Sequence, residues 1–244
     1  MSDISSISFL LIHGFTGTHF EMEPLATYLR EQHYFVENIT LPGHEASLEE
    51  LNETNWTEWI DYAQTKLNEL KAAFEKVYIC GLSMGAAITL VLGARNSDLA
   101  GIIPMAAPYK SPDWRMYFIV AIPFLGSIYP KHKTREKGWA DLESLSTHKS
   151  YGYYPIRSIK QLYKLLREVK RSIPKIEVPI LVIQSKKDPG VPSKHAEYIY
   201  NKVNSTDKTL VWIDKGGHVI PKDAGRYQLF EEIKNWMKKR VNRN

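Results

Sequence analysis

Residues 78–90 read YICGLSMGAAITL, and no other stretch restricts the possible folds of this chain so tightly. An apolar run rich in β-branched and aromatic residues stops at Gly81, and a helix-like run begins at Met84. One serine, Ser83, stands between them, with Gly81 and Gly85 two residues away on either side. The pattern is G-x-S-x-G at a strand-to-helix junction. A turn this sharp strains the serine backbone and lifts its hydroxyl above the end of a sheet. Side chains two residues away would collide across the turn, so both positions must be small. Such a junction needs a strand entering it, a helix leaving it and a sheet beneath both.

The rest of the sequence supplies that sheet. Short apolar runs at 7–12, 34–39, 76–81, 101–105, 179–184 and 209–214 read as strands. Helical patterns fill 20–31, 84–95, 157–171, 193–203 and 225–241. Trp56, Trp59, Ile60, Ala63, Leu67, Leu70 and Phe74 recur at spacings that place them on one face of a further long helix. Strands alternating with helices predict an α/β fold: a mostly parallel open sheet of about six strands with helices on both faces. The alternation breaks between Met105 and Pro179, where prolines 108, 112, 123, 130 and 155 occur among many aromatics. We read a small cap inserted at about 109–172 into a single domain spanning 1–244. Ligands of such sheets bind beyond the carboxyl ends of the strands, which puts this insertion over the site.

A serine hydroxyl is a poor nucleophile until a histidine takes its proton and a carboxylate orients that histidine. At a G-x-S-x-G junction the acid and then the histidine follow the serine in the chain. Four histidines do so: His132, His148, His195 and His218. The first two fall in the insertion and His195 opens a helix pattern. His218, in GGHVI, follows the strand TLVWID and is the expected general base. Asp188, in SKKDPGVP, follows the strand PILVIQ. Asp214 competes for the acid's role, but it lies only four residues from His218. The acid and the base must converge from separate loops, which favours Asp188. Two N–H donors are needed for the oxyanion. The N–H of Met84 supplies one, and Phe15, in the loop HGFTGTHF after the first strand, supplies the other. His13 and His44 read as loop braces, and Cys80, inside the strand, as a buried inert thiol. No second cluster accompanies His44 and Glu45 at metal-ligand spacing, and no G-x-G-x-x-G or P-loop occurs. The expected sites therefore include no metal and no cofactor.

Charge is unevenly distributed along the chain. Residues 1–107 carry 5 basic and 14 acidic side chains, whereas 108–175 carry 14 and 5. The plain reading is that the two regions complement each other across solvated faces. The sharper reading is a weak contact between the basic cap and an anionic interface. No recognition motif accompanies the charge, so nucleic acid is not an expected partner. The early run ISFLLI is too short to span a bilayer and follows no basic segment, so no stable membrane insertion is expected. Cys80 is the only cysteine, which fits a cytoplasmic location.

Taken in order, LLIHGFTGT, LPGHE, GLSMGAA, KKDPGVP and GGHVI make the chain resemble an α/β-hydrolase. More narrowly, it resembles the Bacillus-type bacterial carboxylesterases and monoacylglycerol lipases. The resemblance implies Ser83, Asp188 and His218 as the triad, Phe15 and Met84 as oxyanion donors, and a small cap over an apolar acyl pocket. It implies a serine hydrolase that cleaves carboxylic esters, with short to medium acyl chains or as monoacylglycerols, through an acyl-enzyme. The same residues would also serve a thioesterase or other acyl hydrolase, and a non-catalytic ligand-binding relative is the third reading. The sequence departs from the pattern in two ways. The usual opening strands are missing, and Ala86 stands where many relatives carry a further glycine. Trp114, Met116, Tyr117, Phe118, Ile119, Ile122, Phe124 and Leu125 are apolar enough to line an acyl channel or to form the cap's own core.

Overall fold

All six strands read from the sequence pair in one all-parallel sheet. They are β1 (Ile7–Ile12), β2 (Phe35–Ile39), β3 (Lys76–Leu82), β4 (Gly101–Met105), β7 (Ile180–Ser185) and β8 (Lys208–Ile213). The computed structural model describes residues 6–45, 47–111, 128–130, 138–148, 150–151 and 153–241. Strand order is β2-β1-β3-β4-β7-β8. The helices between them are α1 (Glu23–Glu31), α2 (Leu48–Glu53), α3 (Trp56–Ala73), α4 (Met84–Arg95), α7 (Lys194–Lys202) and α8 (Arg226–Val241). This is the α/β-hydrolase arrangement in a compact form.

Successive strand side chains point to opposite faces, and the core divides accordingly. Leu10, Ile12, Ile79, Ile102, Ile180 and Val182 pack beneath α3 and α4. Phe9, Leu11, Tyr78, Ile103, Leu181 and Ile183 pack against α1 and α8 on the other face. Strands buried on both faces read as unbroken apolar runs, which is why their ends were legible to within a residue or so. Polar tethers fix the helix ends: at the start of α3, Glu58 accepts the Asn55 N–H at 2.8 Å in a capping box.

Within the inserted segment, β5 (Ile128–Pro130) pairs antiparallel with β6 (Tyr153–Pro155), and α5 (Leu142–Ser146) lies between them in sequence. Then comes α6 (Ile156–Ser172). It joins the main core, because Ile159, Leu165, Leu166 and Val169 belong to the same buried cluster as α3 and α4. Its outer face carries exposed Arg157, Lys164, Arg167, Lys170 and Arg171. The apolar residues Trp114, Met116, Tyr117, Phe118, Ile119, Ile122, Phe124 and Leu125, and also His132, lie outside the described residues.

From β1 the chain runs first to β2 on one side and then back to β3 on the other. Neighbouring connections therefore diverge at the carboxyl ends of β1 and β3, which opens a crevice there. Ser83 follows β3 and the loop 13–18 follows β1, so both stand at that crevice.

Candidate active site

Ser83 adopts φ 55° and ψ −110°, a conformation that costs a non-glycine residue roughly 1–3 kcal/mol. The surroundings enforce it. The Ser83 N–H donates to the Met105 carbonyl at 2.9 Å, and the Ser83 carbonyl accepts the Ala87 N–H at 3.0 Å. The two glycines have no room for a side chain. A Cβ on Gly81 would stand 2.2 Å from the Gly85 carbonyl oxygen, and one on Gly85 would stand 2.1 Å from that of Ile12. The junction thus presses α4 onto β1 and leaves the serine facing the crevice.

A cavity of about 330 Å³ opens there. Ser83, Phe15, Thr16, Glu21, His148 and His218 line one part of it, and Ile159, Leu162, Tyr163 and Leu166 of α6 line another. His218 and Asp188 come together from separate loops: Nδ1 of the imidazole lies 2.8 Å from Oδ2 of the carboxylate. The Asp188 side chain is 1% exposed and that of His218 28%, so the carboxylate is sealed while the imidazole reaches the cavity. Asp188 Oδ1 accepts the N–H groups of Gly190 at 2.7 Å and Val191 at 3.0 Å. Its Oδ2 also accepts from the Gln184 amide at 3.0 Å.

Electrostatics follow from this geometry. Burial pulls the His218 imidazole down, but the charge and hydrogen bond of Asp188 outweigh it and hold it above the ordinary value. Burial pushes the Asp188 carboxyl up. The His218 charge and hydrogen bond, with the Val191 and Gly190 N–H groups, overcome that and hold it below. The competitor Asp214 is exposed and pairs with Lys186 at 2.6 Å, away from the imidazole.

The loop after β1 is a braced turn. His13 donates from Nδ1 to the Gly14 carbonyl at 2.8 Å and accepts the Leu41 N–H on Nε2 at 3.1 Å, which fixes its tautomer. Burial pulls its pKa down to about 3, so it stays neutral. His44 contacts the Pro42 carbonyl and packs edge-on against His13, and burial takes it to about 4. Both histidines brace loops, as their positions ahead of Ser83 implied. Phe15 lines the cavity. Met84 is the first residue of α4, where N–H groups lack an intrahelical acceptor. His195 is buried against Tyr109, whose N–H it accepts at 3.4 Å, and burial lowers it to about 4. Cys80 is buried within β3, and burial pushes its thiol up.

Three residues at the site escaped sequence reasoning. Glu21 is buried, accepts the Gly14 N–H at 2.9 Å and lies 3.7 Å from His148. Gly17 makes room for it, since a Cβ there would stand 2.2 Å from Glu21 Oε2. Gln184 steadies Asp188 from inside β7, and Asp223 receives the Gly217 N–H at 2.5 Å. None has a local signature, because each acts on a backbone group or side chain brought near by folding. Among the described residues, no group of three or more His, Cys, Asp or Glu side chains converges as metal ligands. No helix among them is long and apolar enough to cross a membrane.

The hydrolase family described as serine aminopeptidase, S33, matches residues 6–225. The chain belongs to that family. This S33-family hydrolase is 28% identical over 231 residues to a carboxylesterase of Bacillus subtilis, covering 94% of this chain and 92% of that one. It is 29% identical over 226 residues to a thermostable monoacylglycerol lipase of Bacillus sp., covering 92% and 88%. Among solved structures, a metagenome-derived lipolytic enzyme superposes with a TM-score of 0.89 at 26% identity, covering 96% and 94%.

Proposed function

We propose that the protein is a carboxylic-ester hydrolase acting on esters of short to medium acyl chains or on monoacylglycerols. The observation that carries this reading is the 2.8 Å contact between His218 and the sealed Asp188, beside a cavity that Ser83 shares. The esterase and lipase relatives support the choice of bond. In the proposed reaction Ser83 Oγ attacks the ester carbonyl while His218 Nε2 takes its proton. Asp188 keeps the Nδ1 proton in place and stabilises the imidazolium that forms. The N–H groups of Phe15 and Met84 receive the oxyanion. His218 then protonates the departing alcohol, and a water molecule repeats the sequence on the acyl-enzyme to release the acid.

The cavity has a hydroxyl- and carboxylate-bearing side near Ser83 and a mostly apolar side along α6. At about 330 Å³ it lies at the small end of ligand pockets, which span roughly 300–1,000 Å³. We assign the acyl chain to the α6 side and read residues 109–172 as the cap that closes over it. The cationic outer face of α6 supports a weak, salt-sensitive contact with anionic interfaces. The single buried Cys80 supports a cytoplasmic location.

Two measurements test the reading together. A fluorophosphonate probe is expected to label the wild type and not Ser83→Ala, whose kcat on p-nitrophenyl esters falls by at least about 10³-fold. Rates across esters of increasing acyl length, a monoacylglycerol series and an aminoacyl anilide then identify the bond. Cleavage of the anilide alone, or turnover by Ser83→Ala at the wild-type rate, would overturn it.

A further inference from the structure

Asp223 lies five residues beyond His218 and is 0% exposed. A fully buried carboxylate is costly unless every lone pair is occupied, and here donors surround it. Its Oδ2 accepts the Gly217 N–H at 2.5 Å. Its Oδ1 accepts the N–H groups of Ala224 at 2.7 Å, Asp141 at 2.8 Å and Ala140 at 3.0 Å, and the Ala140 N–H is shared with Oδ2 at 3.2 Å. All four donors are backbone groups. One belongs to the residue immediately before His218, and two belong to the segment that leads into α5 of the cap. The two chains approach so closely that a Cβ on Gly217 would stand 1.7 Å from the Gly138 carbonyl oxygen. Arg226 bolts the same junction from outside, donating to Asp141 Oδ2 at 2.7 Å. The cap segment continues to His148, which lines the cavity along with His218.

The geometry points to Asp223 as a positioning residue for His218: by holding the Gly217 N–H on Oδ2 and the Asp141 N–H on Oδ1, with the Ala140 N–H shared between the two oxygens, it makes the pose of the imidazole and the seating of the cap one mechanical unit. The inference rests on the reading of Ser83 and His218 as nucleophile and base. It explains why a carboxylate is required. An amide offers one acceptor oxygen, and three N–H groups crowd the Oδ1 position. In Asp223→Asn the amide oxygen therefore takes the Oδ1 place, and the NH2 meets the Gly217 N–H donor to donor. The substitution cuts the tie to the histidine loop while keeping the Asp141 and Ala140 contacts to Oδ1, losing only the weaker Ala140 contact to Oδ2.

The test compares Asp223→Asn with Arg226→Met, which loosens only the cap side. Turnover is counted per fluorophosphonate-labelled site, on a p-nitrophenyl ester, across pH. The expected result for Asp223→Asn is a kcat about 10- to 100-fold lower with KM little changed, since small displacements of a catalytic group cost rate before binding. The midpoint of kcat/KM against pH also moves down, because the imidazole loses its full contact with Asp188. The charged and titratable groups facing His218 are Asp188, Glu21 and, in the same cavity, His148. All three remain in this variant, but the Asp223 charge does not, so the shift is read as a change of pose only where the charge-preserving Asp223→Glu lowers the midpoint as well. Arg226→Met is expected to lower Tm with the midpoint unmoved. Asp223→Glu is measured beside it, keeping the charge and two acceptors on a longer arm, with the same lowered midpoint expected; it also stands alone if Asp223→Asn yields no folded protein. A wild-type kcat and midpoint in the folded Asn or Glu variant would reduce Asp223 to scaffold and overturn the proposal. Failure of the wild type to label would instead overturn the reading of Ser83.

Discussion

Gly85→Ala sets two simple rules against each other. Alanine is the best helix former, so in the first turn of α4 the exchange is worth up to about 1 kcal/mol in favour of folding. The added Cβ, however, would stand 2.1 Å from the Ile12 carbonyl oxygen and 2.6 Å from that of His13, against about 3.4 Å for ordinary contact. Both obstacles are backbone, so β1 and α4 must separate by about an ångström. Overpacking of this kind costs about 3 kcal/mol, the upper end of its usual range when no flexible side chain can move aside. The net loss is about 2 kcal/mol, or about 4–8 °C in Tm for a domain of this length. Ser83 lies two residues away and moves with the helix, so kcat falls about 100-fold. Gly93→Ala is the control. It lies in the same helix, but its Cβ meets Ile102 Cδ1 at 2.6 Å, the free end of a side chain. Gly93→Ala is expected to keep kcat within twofold and Tm within about 3 °C. Thermal denaturation and ester hydrolysis on the two variants decide the matter. A Gly85→Ala enzyme as stable and as fast as wild type would refute the steric argument for the junction.

Asp188→Asn is expected to lower kcat by about 10²- to 10⁴-fold, and the exposed Asp214→Asn to stay within twofold; the reverse order in a rate assay would reassign the acid. In the proposed reaction His218 must be neutral to accept the Ser83 proton, and Asp188 holds its pKa above the ordinary 6.5. Activity therefore rises with pH through a midpoint above 6.5 in a kcat/KM profile, and a midpoint below it would contradict the pairing. Leu166→Trp narrows the α6 side of the cavity and is expected to move the preferred p-nitrophenyl ester to shorter acyl chains. An unchanged chain-length profile would place the acyl chain elsewhere.

The sequence by itself determined the sheet and the strained junction that carries Ser83. Strands buried on both faces must be continuous apolar runs, and a strand that turns sharply into a helix must be bounded by glycine. Both constraints are local, so both are written in consecutive residues, as in KVYICGL and GLSMG. His218 and Asp188 were legible because each directly follows such a strand, although their 2.8 Å contact is a tertiary fact. Only the folded chain decided the rest. It put α6 at once into the core and along the cavity, because one amphipathic helix can satisfy both when its apolar arc is wide. It brought Glu21 under the Gly14–Gly17 turn and Asp223 between Gly217 and the segment at Ala140 and Asp141. Those carboxylates are specified by the backbone N–H groups they receive. Every residue except proline has such a group, so nothing in the order of side chains announces which ones will lack an acceptor until the chain has folded.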